Sequence, residues 1–377
     1  VIDSVSRFHP LSEHLIAMND YWDWDELSKN CSIPWSTELV EKYHGKWNWN
    51  LISCNSALRW STELIERFQG NWYWVGLSAN LGLPWTVILL LQFQDKWNWR
   101  ELSANSRLPW TVELLFQFQD KLDWGKLSHN SGLPWSTELI ERYQDKWHWS
   151  NLSMNRCIPW TSELIECYQD EWDWRTLSFN SSLPWTNELL ELYQDKWDWE
   201  TLSRNFSLPW TTELIELYQD KWNWVGLSFN SSLPWTSELV ECYHDRWNWK
   251  GLSYNSTLPL STELMERYRD KWVWRELSWN SSVLWTTELI ERYQDKWDWG
   301  LLGMHSVLPW SIELIDRYRD KWELGGKTLN KALPWSIELV ERFYEWNRTL
   351  GYIESVYSRI FKGVLTDRMI EEFLSKI

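Results

Sequence analysis

Carboxylates are the residues of this chain whose recurrence could signal chemistry. Glu38 and its equivalents, spaced every 25 residues, fill twelve of thirteen positions, and an acid recurs at the Glu41 position in eleven. General acid–base catalysis needs one carboxylate pair in one pocket, held in environments that separate their protonation. A ladder of like carboxylates offers no such pair. It is expected to complement helix N-termini and to form ion pairs within helices, Glu138 with Arg142 and Glu288 with Arg292. Seven histidines stand at 9, 14, 44, 129, 148, 244 and 305, and only His44 and His244 share a repeat position, so no metal-ligand set follows. The five cysteines, at 31, 54, 157, 167 and 242, contain no C-x-x-C pair. Their odd number leaves a thiol over, so neither a zinc cluster nor a disulfide framework is expected, and a reducing, cytoplasmic setting fits best. No phosphate-cradling glycine loop, G-x-S-x-G elbow or H-E-x-x-H occurs. The expectation is a non-enzymatic protein without cofactor or metal.

The elements that position these residues come from a repeat. A tryptophan closes the Leu-Pro-Trp step at 35, 60, 85 and onward to 335, always 25 residues apart, with Leu260 the one substitution. A W-x-W pair precedes each step, from Trp22 and Trp24 through Trp297 and Trp299, with Leu122 replacing one tryptophan and Leu324 another. These three columns hold 36 of the 38 tryptophans, leaving Trp279 and Trp346. Such self-similarity over thirteen copies is the mark of a solenoid rather than of two or three globular domains.

Each copy predicts two short helices. The residue between the paired tryptophans is Asp or Asn in nine of thirteen copies, the preference of an N-cap. Trp24 and Leu27 then share a helix face, and Asn30 or its equivalent ends the helix in all copies but one, where His305 stands. Asn suits a left-handed helix terminus. The second helix begins near Pro34-Trp35-Ser36, with Ser or Thr as its cap, and Leu39, Val40 and Tyr43 form its apolar stripe. Helices of roughly 7 and 10 residues cannot persist alone in water and must stack. The expected fold is an all-α solenoid: an N-terminal cap over 1–20, tandem repeats over 21–345 and capping helices over 346–377. The alternative is a leucine-rich-repeat-like β/α solenoid, whose period of 20–29 residues includes 25. It needs apolar residues five and three positions before the Asn, where the fifth-before column of this chain runs Asp25, Asn50, Val75, Arg100, Gly125 and Ser150.

A net charge of −16 disfavours nucleic acid as a partner and suits neutral or basic ones. No apolar run reaches the length of a membrane span. Val1, standing where an initiator Met would, is read as a processed or truncated end. The tryptophan columns are read as packing between repeats rather than as stacking platforms for sugars.

Columns that vary point to the partner. The residue before each Asn runs Lys29, Cys54, Ala79, Ala104, His129, Met154, Phe179, Arg204, Phe229, Tyr254, Trp279, Met304 and Leu329. From Phe179 through Arg204, Phe229, Tyr254, Trp279 and Met304 it is mostly apolar and aromatic, and this stripe is the candidate protein-binding surface. A scaffold or adaptor is expected. Self-association into a filament or shell, or carbohydrate binding at exposed aromatics, are the alternatives. The D-W-x-x-L-S-x-N core, carried by the Trp24, Leu27, Ser28 and Asn30 columns over 21–345, resembles the tryptophan-rich tandem repeats of uncharacterised proteins from giant DNA viruses and some bacteria. That resemblance implies repeat architecture and no particular chemistry.

Overall fold

The computed structural model describes residues 13–17, 22–322, 330, 332 and 333. It divides into two compact halves, residues 1–197 and 198–377. Within both, each of the twelve repeats that the described residues cover folds as two helices, giving twenty-four from Trp24 to Arg317. The chain is an all-helical tandem-repeat solenoid. Among the described residues there is no strand, only an isolated bridge between Leu260 and Val283, so the leucine-rich alternative, which needs a strand in every repeat, does not hold.

One repeat of the N-terminal half illustrates the local causes. Asp173 stands in extended backbone and its carboxylate accepts the Thr176 amide at 3.1 Å, capping the helix Trp174–Phe179. Thr161 caps Ser162–Cys167 in the same way, its hydroxyl accepting the Leu164 amide at 3.1 Å. Where the cap residue is Tyr73, His148 or Val273, no side-chain cap bond forms. The second helix has six residues, not ten. It stops at Tyr168, whose backbone (φ −120°, ψ 28°) leaves the helix so that its ring reaches Trp149 at 4.9 Å and Trp172 at 6.2 Å. Glu171 and Trp172 then both donate to the Tyr168 carbonyl, which turns the chain into the next repeat.

First helices of successive repeats lie directly against one another, as Trp74–Ala79 does against Trp99–Ala104. Leu177 and Ile165 are fully buried in the seam. Each such side chain contributes about 1.5–3 kcal/mol of hydrophobic stabilisation. The first tryptophan of each pair is the hub. Trp172 is buried and meets Trp149 edge-on at 4.8 Å and Trp160 at 4.9 Å, so a residue of one repeat fills the core of the one before.

Two buried polar columns tie the repeats together. Ser153 Oγ donates to Trp149 O at 2.8 Å and accepts the Asp173 amide of the next repeat at 3.0 Å. Asn180 Nδ2 reaches back to the carbonyls of Ser153 at 2.9 Å and Asn155 at 3.2 Å, while its Oδ1 accepts the Ser182 amide. The Trp185 indole donates to the Asn180 carbonyl at 3.0 Å. The expectation that Asn serves through left-handed backbone is therefore corrected. Asn180 has φ −73° and ψ 114°, extended backbone open to any residue, and the amide side chain is what the position requires.

Of the expected N-terminal cap, residues 1–20, the helix Glu13–Ala17 is described. Ile16 is buried, and the Trp22 indole donates to its carbonyl six residues back, whereas in a full repeat Trp72 reaches Ile65 seven back. The expected capping helices over 346–377 lie outside the described residues.

Candidate interaction surface

The tryptophan columns divide by position. The first of each pair is buried from Trp47 to Trp297, and the third is buried or nearly so from Trp35 to Trp310. The second, typified by Trp174, is half-buried, its indole donating to the Gln169 carbonyl at 2.9 Å. The Lys196 ammonium lies 5.3 Å from its ring centroid, and the arrangement recurs from Lys46 over Trp24 to Lys321 over Trp299. The cation closing a repeat thus roofs the second tryptophan of that same repeat, except over Trp49 and Trp149, where Asn71 and Glu171 stand in its place.

The acidic ladder holds helix ends. At Glu138, hydrogen bonds from its own amide and from the Ser136 hydroxyl hold the carboxyl below the ordinary Glu value, and the same causes act from Glu38 to Glu263. With its carboxylate turned to the N-terminus, Glu138 makes no pair with Arg142, and Glu288 none with Arg292, contrary to expectation. Ion pairs cross between repeats instead: Glu41 with Arg67, Glu241 with Arg267, and Glu291 with Arg317 at 3.4 Å. No group of three or more His, Cys, Asp or Glu side chains is arranged to hold a metal among the described residues.

The variable column is exposed from Lys29 to Met304. It sits at the C-terminal end of each first helix, where the next residue, Asn, turns inward. In the C-terminal half it carries Arg204, Phe229 at 42% exposure, Tyr254 at 61%, Trp279 at 51%, and Met304. The Phe229 and Tyr254 ring centroids are 6.2 Å apart, so these two aromatics form one continuous contact. A second feature makes room for them. A Cβ at Gly251 would lie 3.1 Å from the Phe229 ring, and one at Gly226 would lie 3.1 Å from Arg204 Cγ. Each glycine lets the stripe residue of the preceding repeat lie down over the seam. The Glu26 column thus lies beneath this surface where it is glycine: Gly226 and Gly251 are buried. In the N-terminal half, Met154 and Phe179 are exposed and border a groove of about 520 Å³ with Ala104 and His129.

A second apolar area was not anticipated from the stripe. In the N-terminal half Val87, Ile88, Leu91 and Phe116 are exposed on the second helices Val87–Gln92 and Val112–Phe118. The signal was present in the sequence, since Ile88 is the one non-acid of its column and Leu91 and Phe116 are the two non-acids of theirs.

The class defined by this architecture is a tandem-repeat α-solenoid with a surface of varied side chains. No family model, curated protein or solved structure matches the chain. No described helix is long and apolar enough to cross a membrane.

Proposed function

We propose that this chain is a non-enzymatic scaffold or adaptor that binds another protein through the variable column of its first helices. The observation carrying this reading is the run of exposed aromatics at Phe229, Tyr254 and Trp279, at positions where stacking of the repeats asks for no particular residue. Large rigid side chains offered to solvent at low entropic cost are what protein interfaces use as anchors. Arg204 and Met304 flank them, the first able to pair with a partner carboxylate or stack on its aromatics, the second able to adapt in shape. Met154 and Phe179 offer an equivalent edge in the N-terminal half. The acidic ladder favours the non-enzymatic reading, because its carboxylates sit in one repeated capping geometry and none is singled out for proton transfer.

The test is affinity for the partner recovered on the native chain. Replacing Phe229, Tyr254 and Trp279 with Ser is expected to weaken that binding at least tenfold, about 1.4 kcal/mol or more, with helicity unchanged. Retained affinity in the folded triple variant overturns the reading.

A further inference from the structure

The second helices present a ladder in which the acid of one repeat faces the cation of the next, as Glu41 does Arg67. Between Glu66 and Arg142 this ladder is interrupted. The helix Val87–Gln92 carries no charge at all, and Leu91, Phe116, Gln92 and Gln117 fill positions that elsewhere hold acids and, often, Lys or Arg. Ile88, 76% exposed, and Phe116, 65% exposed, form the centre of the bare area, with Val87 and Leu91 beside them.

The interruption strands one charge at each edge. Glu66, which would meet a cation at position 92, instead accepts a hydrogen bond from the uncharged amide of Gln92. Arg142, which would meet an acid at position 116, meets Phe116 and is in no ion pair, its field reaching Glu113 only as a minor influence. Glu66 and Arg142 are thus two halves of ion pairs, placed symmetrically about the boundary between the helices Val87–Gln92 and Val112–Phe118. Matching grooves flank the patch, one of about 470 Å³ lined by Glu66, Gln92 and Phe93, the other of about 580 Å³ lined by Phe116, Arg142 and Tyr143.

We infer that this face is the contact of a two-fold homodimer. A two-fold axis lying in the contact plane, along the helices and between them, sets Val87–Gln92 of one copy on Val112–Phe118 of the other. Ile88 and Leu91 meet the second copy's Phe116, and each Glu66 meets the second copy's Arg142, twice over. Such an isologous contact needs a self-complementary surface, which this patch is. Charge selects the occupant. Two chains of net charge −16 repel, and opposing second helices elsewhere would set Glu columns against each other. Here three of the four acid positions on the two helices are apolar, Ile88, Leu91 and Phe116, and the fourth, Glu113, is held by its own amide and the Thr111 cap hydroxyl. The apolar area is small, so the dimer is a weak one, forming at micromolar concentration.

Sedimentation velocity of the full chain over a concentration series tests this, with Leu91→Glu/Phe116→Glu as the first variant. It restores residues that other repeats already carry, so its melting curve by circular dichroism is expected to stay that of the parent while the dimer is lost. Glu66→Arg and Arg142→Glu, each alone, should weaken dimerisation several-fold, and a one-to-one mixture of the two should recover it, since both edge contacts are then between opposite charges. A parent chain that stays monomeric through the micromolar range, a double-Glu variant that dimerises as the parent does, or a mixture no better than its components overturns the inference. A monomeric parent that instead binds a basic amphipathic peptide on this patch overturns it as well.

Discussion

The side-chain amide of Asn180 donates to the carbonyl of Ser153, 2.9 Å away and 27 residues earlier, and so stitches the end of one first helix to the end of the one before. Equivalent bonds run from Asn55 to Ser28 and, in the C-terminal half, from Asn280 to Ser253. These amides are buried, so no water can replace the bonds they make, and nearest-neighbour coupling along the array depends on them.

Asn155 is the position at which to test that dependence. Its side chain donates to Ser128 O at 3.0 Å and accepts from Cys157 N at 2.9 Å. Asn155→Ala leaves the buried Ser128 carbonyl and the part-buried Cys157 amide without this partner. A loss of about 2–3 kcal/mol is expected in urea unfolding, with a broadened transition as coupling across that seam weakens. The exposed neighbour substitution Met154→Ala is expected to change stability by less than about 0.5 kcal/mol.

The repeat made most of this legible. Period, caps and apolar columns are local signals, and they yielded the helices, the seam and the exposed variable column, including Tyr254 and Trp279. What escaped was the work that side chains do between repeats. Asn180 read as a helix stop because its chain neighbours show only the turn, and its acceptor lies 27 residues away. Glu138 and Arg142 read as a pair from i, i+4 spacing, which says nothing of the capping hydroxyl that competes for the carboxylate. Tyr168 ends its helix early because its ring is drawn to Trp149 and Trp172, and spacing on one helix cannot register that pull.

His305 replaces the ladder asparagine, and the prediction there concerns pH. The residue is 6% exposed and its Nε2 has no hydrogen-bond partner. Burial pushes the imidazole below its ordinary value of 6.5, with hydrogen bonds to the backbone of Asn280 and Trp279 acting the other way. Because the folded value is the lower one, the contribution is complete above pH 6.5 and is lost as pH falls toward and through the folded value. His305→Asn is expected to raise stability by about 1–2 kcal/mol and to flatten the profile below neutrality, as read by thermal melts across pH.

The capping carboxylates act at lower pH. In nine repeats, from Glu38 to Glu263, hydrogen bonds from the residue's own amide and from the cap hydroxyl hold the group below its ordinary value of 4.5. Their stabilisation is therefore full above that value and lost as pH falls through the depressed folded values. Helicity at 222 nm should hold to about pH 4.5 and then decline. Glu138→Gln should remove part of the acid sensitivity, and an unchanged acid profile after several such substitutions would count against the capping role.

The proposed binding surface is tested most directly by placing a photo-reactive side chain in the native chain at Phe229, Tyr254 or Trp279, and separately at Leu217, which is more exposed than any of them but on a second helix. Irradiation in the native cell is expected to give one discrete protein adduct from all three stripe positions and none from position 217. The same adducts from position 217, or no discrete adduct from any of the three, would contradict the account.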